Sequence, residues 1–305
     1  MELELSESWN SLSAQTHSRS LLILQHMGGL SIKVVPLDMA RDSFDDQYRG
    51  CGPAMMAVLP ALHNFEFQVN PLFTQTWVKA EAEWRKRGSP VAPLASPAQA
   101  VALMAYTTKD IYKDFNAAVR VAGHSRQEYR NNFHFKTLHF LLTKALVTLR
   151  QAQKAKCHHV FRGVHDVRFQ ARRGQKVRFG QFTSTSLSKE VAQKYGTDTI
   201  FEVQTCHGVD IQAFSFYLSN REVLIPPYET FEVTKVTRNG KRAWITLRSS
   251  GTYSKHNWGV GHVPLPLALG SLVCSKAYCW GGLTCLTSPP VKVHGGLHQW
   301  MVKKC

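Results

Sequence analysis

Three short segments of this chain carry residue types that could act together on one charged substrate. The guanidinium of Arg162 presents a fixed fork of donors that suits phosphate or ribose oxygens. The hydroxyl of Ser184 can orient a carboxylate through a hydrogen bond that favours its ionised form, and a carboxylate such as Glu222 can stabilise a developing oxocarbenium ion. The segments are Phe161-Arg162-Gly163, Phe182-Thr183-Ser184-Thr185-Ser186 and Asn220-Arg221-Glu222-Val223-Leu224-Ile225-Pro226-Pro227.

Each of these residues also has an ordinary structural explanation when it is taken alone. A strand arginine commonly lays its stem over the sheet and keeps its charge in water. A glutamate at the start of the apolar run Val223-Leu224-Ile225 could form a rim ion pair with Arg221, which would contribute little. Glycine weakens a strand and often marks close approach by a ligand, so Gly163 favours a site beside Arg162. We therefore predict that the three segments converge.

Helical periodicity dominates the chain before about residue 156. Ser43 precedes Phe44-Asp45-Asp46-Gln47 and predicts a helix cap with acids in the first turn. A second helix is predicted from Ser96-Pro97 through Phe115, with proline at its first position. The segment from Trp77 to Arg87 predicts a third, and apolar residues at three- and four-residue steps between Leu138 and Leu149 predict a fourth.

After Lys156 the apolar pattern changes to a period of two, which is typical of strands. A short helix interrupts it between Ser188 and Lys194, Gly174 predicts a turn, and Asn239-Gly240 predicts a hairpin. Helices followed by strands indicate an α+β fold. The predicted strands include residues 160–164, 176–179, 199–203, 209–211, 223–225, 230–233 and 242–247.

The composition is that of a globular protein with a strong positive charge. At 305 residues the chain can bury one sizeable core or two small ones. The formal net charge of +16 favours anionic partners. We do not predict a nucleic-acid partner, because no Lys/Arg run is interleaved with aromatic residues and no zinc-finger spacing occurs. No other metal-ligand spacing is present, so we expect no metal.

Seven cysteines are present, and three of them are widely spaced. The spacing of Cys51, Cys157 and Cys206 fits long-range disulfides of a secreted protein better than a compact metal site. Cys157 and Cys206 each adjoin a predicted strand, so they could bridge two strands or remain buried thiols. The first residues carry Glu2 and Glu4 without a basic region, which is not typical of a signal peptide. No apolar run is long enough to predict a membrane span.

Taken together, the Phe-Arg-Gly, Ser-Thr-Ser and Arg-Glu-Val-Leu-Ile-Pro-Pro segments resemble the arginine–serine–glutamate class of mono-ADP-ribosyltransferases. The resemblance is to the vertebrate ectoenzyme branch of that class, and it covers roughly residues 35–257. Five further segments are similar to that branch. They are Leu37-Asp38-Met39-Ala40, residues 43–48, Met104-Ala105-Tyr106-Thr107, residues 133–142 and Thr252-Tyr253-Ser254-Lys255.

The resemblance implies a helical amino-terminal subdomain packed on a carboxyl-terminal β-sandwich, with a cleft for NAD or NADP as co-substrate. We expect the ADP-ribosyltransferase domain over 35–257, helical to about 155 and β from about 156. Divergent segments at 1–34 and 258–305 flank it, the second of them loosely ordered. The resemblance also implies a Cys157–Cys206 disulfide and an extracellular or secretory location. The chain has no clear signal peptide or lipid-anchor signal, which leaves an intracellular location open.

The same resemblance implies roles for individual residues and an activity. Arg162 would anchor the phosphate and ribose side of NAD, and Ser184 would hold the catalytic glutamate. Glu222 would bind a hydroxyl of the nicotinamide ribose and stabilise the oxocarbenium ion as nicotinamide leaves. The ADP-ribose would pass to arginine-bearing protein acceptors. Further implied residues are Tyr106 and Gln181 as NAD contacts, with Gly163 and Phe216 lining the nicotinamide pocket.

One departure from the family pattern lies beside the predicted site. Arginine-modifying members carry a Glu-x-Glu pair, and this chain has Asn220 at the first position. A second carboxylate would orient the acceptor guanidinium and help to deprotonate it, whereas asparagine can only orient it. Two alternatives therefore stand beside arginine transfer. The chain could be an NAD glycohydrolase with weak transfer, or an inactive basic binding protein on the same fold.

A second departure concerns the cysteine near the start of the domain. The family pattern continues after Lys255 with Asn-Cys, but here Trp258 follows Asn257. Cys51 therefore loses its expected partner unless Cys274, Cys279 or Cys285 substitutes.

Overall fold

The computed structural model describes residues 32–240 and 242–256. Six of its seven α-helices precede all but the first strand, and the seventh lies between two of the later strands, so the predicted α+β fold is confirmed. No helix in these two ranges is long and apolar enough to cross a membrane. The predicted segment 258–305 and nearly all of 1–34 lie outside the described residues. The helices are α1 (Gly52–Val69), α2 (Pro71–Lys86), α3 (Pro97–Thr107), α4 (Tyr112–Ala122), α5 (Arg126–Asn132), α6 (Lys136–Ala152) and α7 (Lys189–Gln193).

The ten strands of the described residues form two sheets. The larger has the order β4-β9-β10-β6-β2-β5-β8-β7, and β1 pairs with β3 in a small parallel sheet. The strands are β1 (Lys33–Pro36), β2 (His158–Val164), β3 (Val167–Gln170), β4 (Lys176–Val177), β5 (Thr183–Ser186), β6 (Thr199–Thr205), β7 (Val209–Asp210), β8 (Glu222–Ile225), β9 (Glu229–Asn239) and β10 (Arg242–Thr252).

The helices agree with the sequence patterns in part. The predicted helices around Trp77 and Leu138 form α2 and α6. The helix predicted from Ser96 to Phe115 is broken, because Thr108 is extended and its hydroxyl donates back to the carbonyl of Ala105 over 2.8 Å. Two helices, α1 and α5, were not predicted. Helix α1 contains Pro60, and a proline inside a helix normally argues against predicting one. Its buried positions nevertheless recur every three or four residues.

The predicted helix cap at Ser43 is wrong, and the following residues are not helical. The Ser43 hydroxyl donates to the carbonyl of Gly180 instead of capping a helix. Asp45 is fully buried and accepts a 2.5 Å hydrogen bond from Nη1 of buried Arg178. Its other oxygen lies 2.7 Å from Nδ1 of His256. The polar run therefore anchors the carboxyl end of the domain and does not begin a helix.

Alternate residues of β8 face two different cores, which explains how the sheet closes. Leu224 packs with the helices in one apolar cluster. Val223 and Ile225 belong to a second cluster with Phe231 of β9 and Val177 of β4, which lie at the opposite edge of the strand order. The large sheet must therefore curl over itself to enclose this second core, which agrees with the predicted sandwich.

Two local predictions in the β half are confirmed. A disulfide joins Cys157 to Cys206, with Cα atoms 4.0 Å apart, where β2 and β6 run antiparallel. The hairpin predicted at Asn239-Gly240 joins β9 to β10, with Asn239 paired to Arg242. Gly240 has a positive φ of 57°, as hairpin turns of this kind require.

Candidate active site

The candidate site is a cavity of about 680 Å³ to which both halves of the fold contribute. Helix α4 and the end of α3 line the helical side, while β2, β5 and α7 line the sheet side. Strands β2, β5 and β8 are neighbours in the sheet, so they bring the three sequence segments together. Within the described lining, Glu222 is the one acidic residue. The Lys and Arg residues that line the same cavity are Lys109, Lys113, Arg120 and Arg162.

Glu222 lies at the start of β8, paired with Ser186 of β5, and its side chain is buried. Burial raises the pKa of this carboxyl group above 4.5. The side chains of Ser184 and Ser215 and the charge of Arg162 oppose that shift because they favour the ionised form. The Ser215 hydroxyl donates to Oε2 of Glu222 over 3.0 Å. The carboxylate is thus held in place, with its charge partly balanced.

Arg162 is half-buried in β2 and is tied to the next strand. Its Nη1 donates to the backbone carbonyl of Ser184 over 2.7 Å. Burial lowers the pKa of the guanidinium, and the nearby Tyr106, Tyr112 and Glu222 side chains oppose that shift. The group stays a cation at neutral pH because its ordinary pKa lies far above that range. It therefore offers a positioned positive charge to an anionic substrate in the cavity.

Tyr106 closes the helical side of the cavity. Its hydroxyl donates to the carbonyl of Phe182 over 2.9 Å and accepts from Nδ2 of Asn116 at 3.2 Å. Burial raises the pKa of Tyr106 to about 12, so the phenol stays neutral at physiological pH. The carbonyl oxygen of Asn116 is buried and has no hydrogen-bond partner within the described chain. The hydrogen bond from Asn116 thus fixes the orientation of the Tyr106 hydroxyl at the edge of the cavity.

Gln181, which the family resemblance implies as an NAD contact, lines the sheet side of the cavity. Its Oε1 accepts a hydrogen bond of 2.5 Å from Nη1 of Arg120 on α4. Burial lowers the pKa of Arg120, which keeps its charge for the same reason as Arg162 does. No motif marks Arg120 in the sequence, and its position on α4, opposite Gln181, brings it to the cavity.

The site combines a buried carboxylate with cations and hydroxyl donors. This combination suits a diphosphate substrate that develops positive charge during the reaction. Comparison with known proteins identifies the family. The family model described as NAD:arginine ADP-ribosyltransferase matches residues 37–255. The chain belongs to this family.

Individual members of the family are also similar to this chain. NAD(P)(+)--arginine ADP-ribosyltransferase 2 of Gallus gallus is 49% identical over 83% of this chain and 87% of its own length. The GPI-linked NAD(P)(+)--arginine ADP-ribosyltransferase 1 of Homo sapiens is 46% identical over 73% of each chain. The crystal structure of a mutant of the eukaryotic mono-ADP-ribosyltransferase ART2.2 in complex with NAD superposes with a TM-score of 0.63 at 37% identity. It covers 73% of this chain and 97% of the ART2.2 chain.

The two residues that the family resemblance assigned to the nicotinamide pocket differ in their positions relative to the cavity. Gly163 lines the cavity, but its missing side chain serves the fold, since a Cβ there would collide with the carbonyl oxygens of Ala192 and Gly196. Phe216 is not among the residues that line the cavity. Its ring lies against Arg87, whose Nη2 donates to the Phe216 carbonyl over 2.9 Å.

The fold brings one further residue, Ser215, into contact with Glu222. Ser215 is fully buried and follows a 3-10 turn, and its contact with Glu222 has no counterpart in the sequence predictions. Next to Phe216, Tyr217 lines the cavity. Its backbone N–H donates to the Ser215 hydroxyl over 3.2 Å. Because serine is common in loops, the residue type alone does not predict a contact between Ser215 and Glu222.

Asn220, the departure from the family's Glu-x-Glu pair, lines the same cavity as Glu222. Its backbone carbonyl accepts from the Ser186 hydroxyl at 2.7 Å. Burial raises the pKa of the nearby Tyr195 phenol, and the Asn220 side chain opposes that shift. Arg221 between them has a left-handed φ of 46°, which is uncommon for a residue with a side chain. The backbone of this turn thus carries both residues to the cavity.

Proposed function

We propose that this protein binds NAD or NADP in the cavity, breaks the bond between nicotinamide and ribose, and transfers ADP-ribose to arginine side chains of proteins. One observation carries the proposal. Glu222 is a buried, hydrogen-bonded carboxylate on the floor of a cavity whose other charged residues are cations. Family membership and the NAD-bound relative support it.

Three residues would share the chemical work. The guanidinium of Arg162 attracts the diphosphate and ribose side of the co-substrate, for which its fork of donors is suited. Glu222 accepts a hydrogen bond from the nicotinamide ribose and stabilises the positive charge that develops as nicotinamide leaves with the bonding electron pair. Ser184 helps to keep that carboxylate ionised and oriented. The acceptor guanidine then bonds to the ribose carbon and loses a proton.

Transfer to water is a second candidate outcome, and Asn220 is the observation that favours it. The amide lines the cavity but cannot accept the proton that an arginine must lose. Water needs no such help to attack an oxocarbenium ion in an open site. The arginine acceptor therefore tends to remain protonated and unreactive. As a result, a larger share of the ADP-ribose passes to water in this chain, which is NAD glycohydrolysis.

The names of the relatives and the disulfide support a location outside the cytosol. Two relatives bear names that call them GPI-linked or ecto enzymes. The Cys157–Cys206 disulfide needs an oxidising compartment to form and persist. We propose that the protein acts outside the cytosol, on arginine-bearing proteins that meet it there.

The test combines NAD binding with nicotinamide release from the full chain. NAD should raise the melting temperature of both the unmodified protein and Glu222→Gln, because a ligand that binds the folded state stabilises it. Only the unmodified protein should release nicotinamide. Retained turnover in Glu222→Gln would remove this residue from the chemistry. A protein that NAD does not stabilise would instead be the inactive binding protein on this fold.

A further inference from the structure

A second cavity, of about 440 Å³, opens where helix α1 begins. It is lined by the turn before α1, by one face of α6 and by His207 and Tyr228 from the sheet half. None of the residues that line the first cavity lines this one. We call it the α1 pocket.

The α1 pocket is cationic and lacks an acidic lining residue. Arg49, Lys144 and Arg150 contribute to its wall, and within the described ranges none of them forms an ion pair. Nε of Arg150 donates to the carbonyl of Cys206 over 2.8 Å, which fixes the side chain while its terminal nitrogens stay available. Lys144 is half-buried, and its ammonium group has no hydrogen-bond acceptor among the described residues. Such charges, when left uncompensated, attract an anion.

The acid next to Tyr228 does not supply the missing negative charge. Glu229 follows Tyr228, but its carboxylate is occupied elsewhere. It accepts 2.5 Å and 2.7 Å hydrogen bonds from the hydroxyls of Thr205 and Ser249 and a 2.8 Å bond from the N–H of Cys206. Burial, together with the charges of Arg150 and Arg49, lowers the pKa of His207 to about 4. The imidazole is therefore neutral at physiological pH and adds no charge of either sign.

Two further features of the α1 pocket favour an oxyanion. Helix α1 begins in its wall without a side-chain cap and without an acid in the first turn, so the positive end of the helix dipole is uncompensated. Tyr228 is 5% exposed and lines the pocket, and its hydroxyl forms no hydrogen bond with the described residues. This hydroxyl is therefore available to donate a hydrogen bond to a ligand in the pocket.

We propose that the α1 pocket binds a phosphate group, as part of a nucleotide-sized anion, at a site separate from the NAD cavity. Lys144 and Arg150 would pair with the phosphate oxygens, and Tyr228 would donate a hydrogen bond to one of them. The start of α1 would face the same charge. The same chemistry fits a soluble phosphate ester and a phosphorylated lipid headgroup, and the experiment tells these sources apart.

The experiment is a calorimetric titration of the full chain with inorganic pyrophosphate. Lys144→Met and Tyr228→Phe should each weaken binding at the α1 pocket, by about tenfold for the loss of the charged donor. The matched control is Lys235→Met, which removes an exposed lysine that lines neither cavity and should leave the affinity unchanged. Lys144→Met should retain nicotinamide release, because the catalytic cavity is separate.

The opposite pattern would overturn the proposal. If Arg162→Lys weakened pyrophosphate binding while Lys144→Met and Tyr228→Phe did not, then the anion would bind only in the NAD cavity. A second arm measures sedimentation of the protein with vesicles that contain a phosphatidylinositol phosphate. Lys144-dependent sedimentation assigns the pocket to a lipid headgroup. Lys144-dependent pyrophosphate binding without sedimentation assigns it to a soluble phosphate compound.

Discussion

The hydroxyl of Ser215 donates a 3.0 Å hydrogen bond to Oε2 of Glu222, seven positions along the chain. The same hydroxyl accepts from the backbone N–H of Tyr217 over 3.2 Å, and the alternative acceptor for its proton, the Tyr217 carbonyl, lies farther away at 3.3 Å. Ser215 itself is fully buried. This contact supports the charged form of the residue that our proposal makes catalytic.

Ser215→Ala should make nicotinamide release more sensitive to acid. Burial raises the pKa of Glu222, and the Ser215 bond opposes that shift, so its loss raises the pKa further. Because the ionised form is the active one, activity falls as pH falls through this pKa, and the variant should lose it at higher pH. On the acid limb the rate should drop by about tenfold, in line with a hydrogen bond to a charged group.

The measurement is the pH profile of nicotinamide release at low NAD concentration. Ser219→Ala is the matched control, since Ser219 is an exposed serine in the turn before Glu222. Coinciding acid limbs for Ser215→Ala and the unmodified protein would show that Ser215 does not support the carboxylate.

Asn220→Glu should shift the fate of ADP-ribose from water to arginine. The new carboxylate would line the cavity two positions before Glu222 and could accept the proton of the acceptor. We expect the ratio of transfer to hydrolysis to rise by at least about tenfold, at the lower edge of general-base effects. Labelled agmatine and released nicotinamide report the two quantities. Asn220→Gln, which keeps the amide, is the control. If the unmodified chain already transferred ADP-ribose as fast as it consumed NAD, the role given to Asn220 would fail.

Asp45→Asn should destabilise the fold without touching the cavity. It leaves Arg178 buried without its carboxylate, and breaking a buried ion pair costs about 3–5 kcal/mol. Burial alone would raise the pKa of Asp45, but the His256 hydrogen bond and the Arg178 charge lower it below 3.8. The stabilisation is therefore present above pH 3.8 and is lost as pH falls through the lowered pKa.

Denaturant unfolding at neutral and acid pH measures this effect. Asp42→Asn, which changes an exposed carboxylate three positions earlier, should alter the free energy of unfolding by less than about 1 kcal/mol. Equal stability of Asp45→Asn and the unmodified protein at neutral pH would contradict the structural role of the pair.

Gly163→Ala tests whether this glycine is needed for the packing of α7 on β2 or for contact with NAD. The added Cβ would collide with the Ala192 and Gly196 carbonyls, so α7 and the turn after it must move away from β2. We expect a loss of about 1–3 kcal/mol in the free energy of unfolding. A variant that keeps full stability in the absence of NAD but binds NAD weakly would instead assign the glycine to the ligand.

Much of this architecture could be predicted from local patterns. Alternating apolar residues, the hairpin at Asn239-Gly240 and the leucine periodicity of α6 all express backbone preferences that act within a few residues. The segments that contain Arg162, Ser184 and Glu222 are strands because of such patterns. Their meeting in one cavity was inferred from their chemistry and their resemblance to a family, and the sheet order brings them there.

Other features could not be predicted because their partners are far away in the sequence. Glu66 of α1 is buried and accepts from the N–H groups of Lys136 and Thr137, over 2.6 Å and 2.9 Å, and so caps helix α6 from another helix. Asp45 has the local sequence of a helix start, but its partner Arg178 lies in the β half.

The amino-acid sequence by itself determined the α+β class, the residue types of the site and the position of its one departure, Asn220. Those properties depend on short-range periodicity and on the chemistry of single side chains. Only the tertiary structure decided that Ser215 supports Glu222, that Arg120 joins the cavity and that Gly163 serves helix packing. Burial and directed hydrogen bonds decide such roles, and they exist only once distant segments pack together.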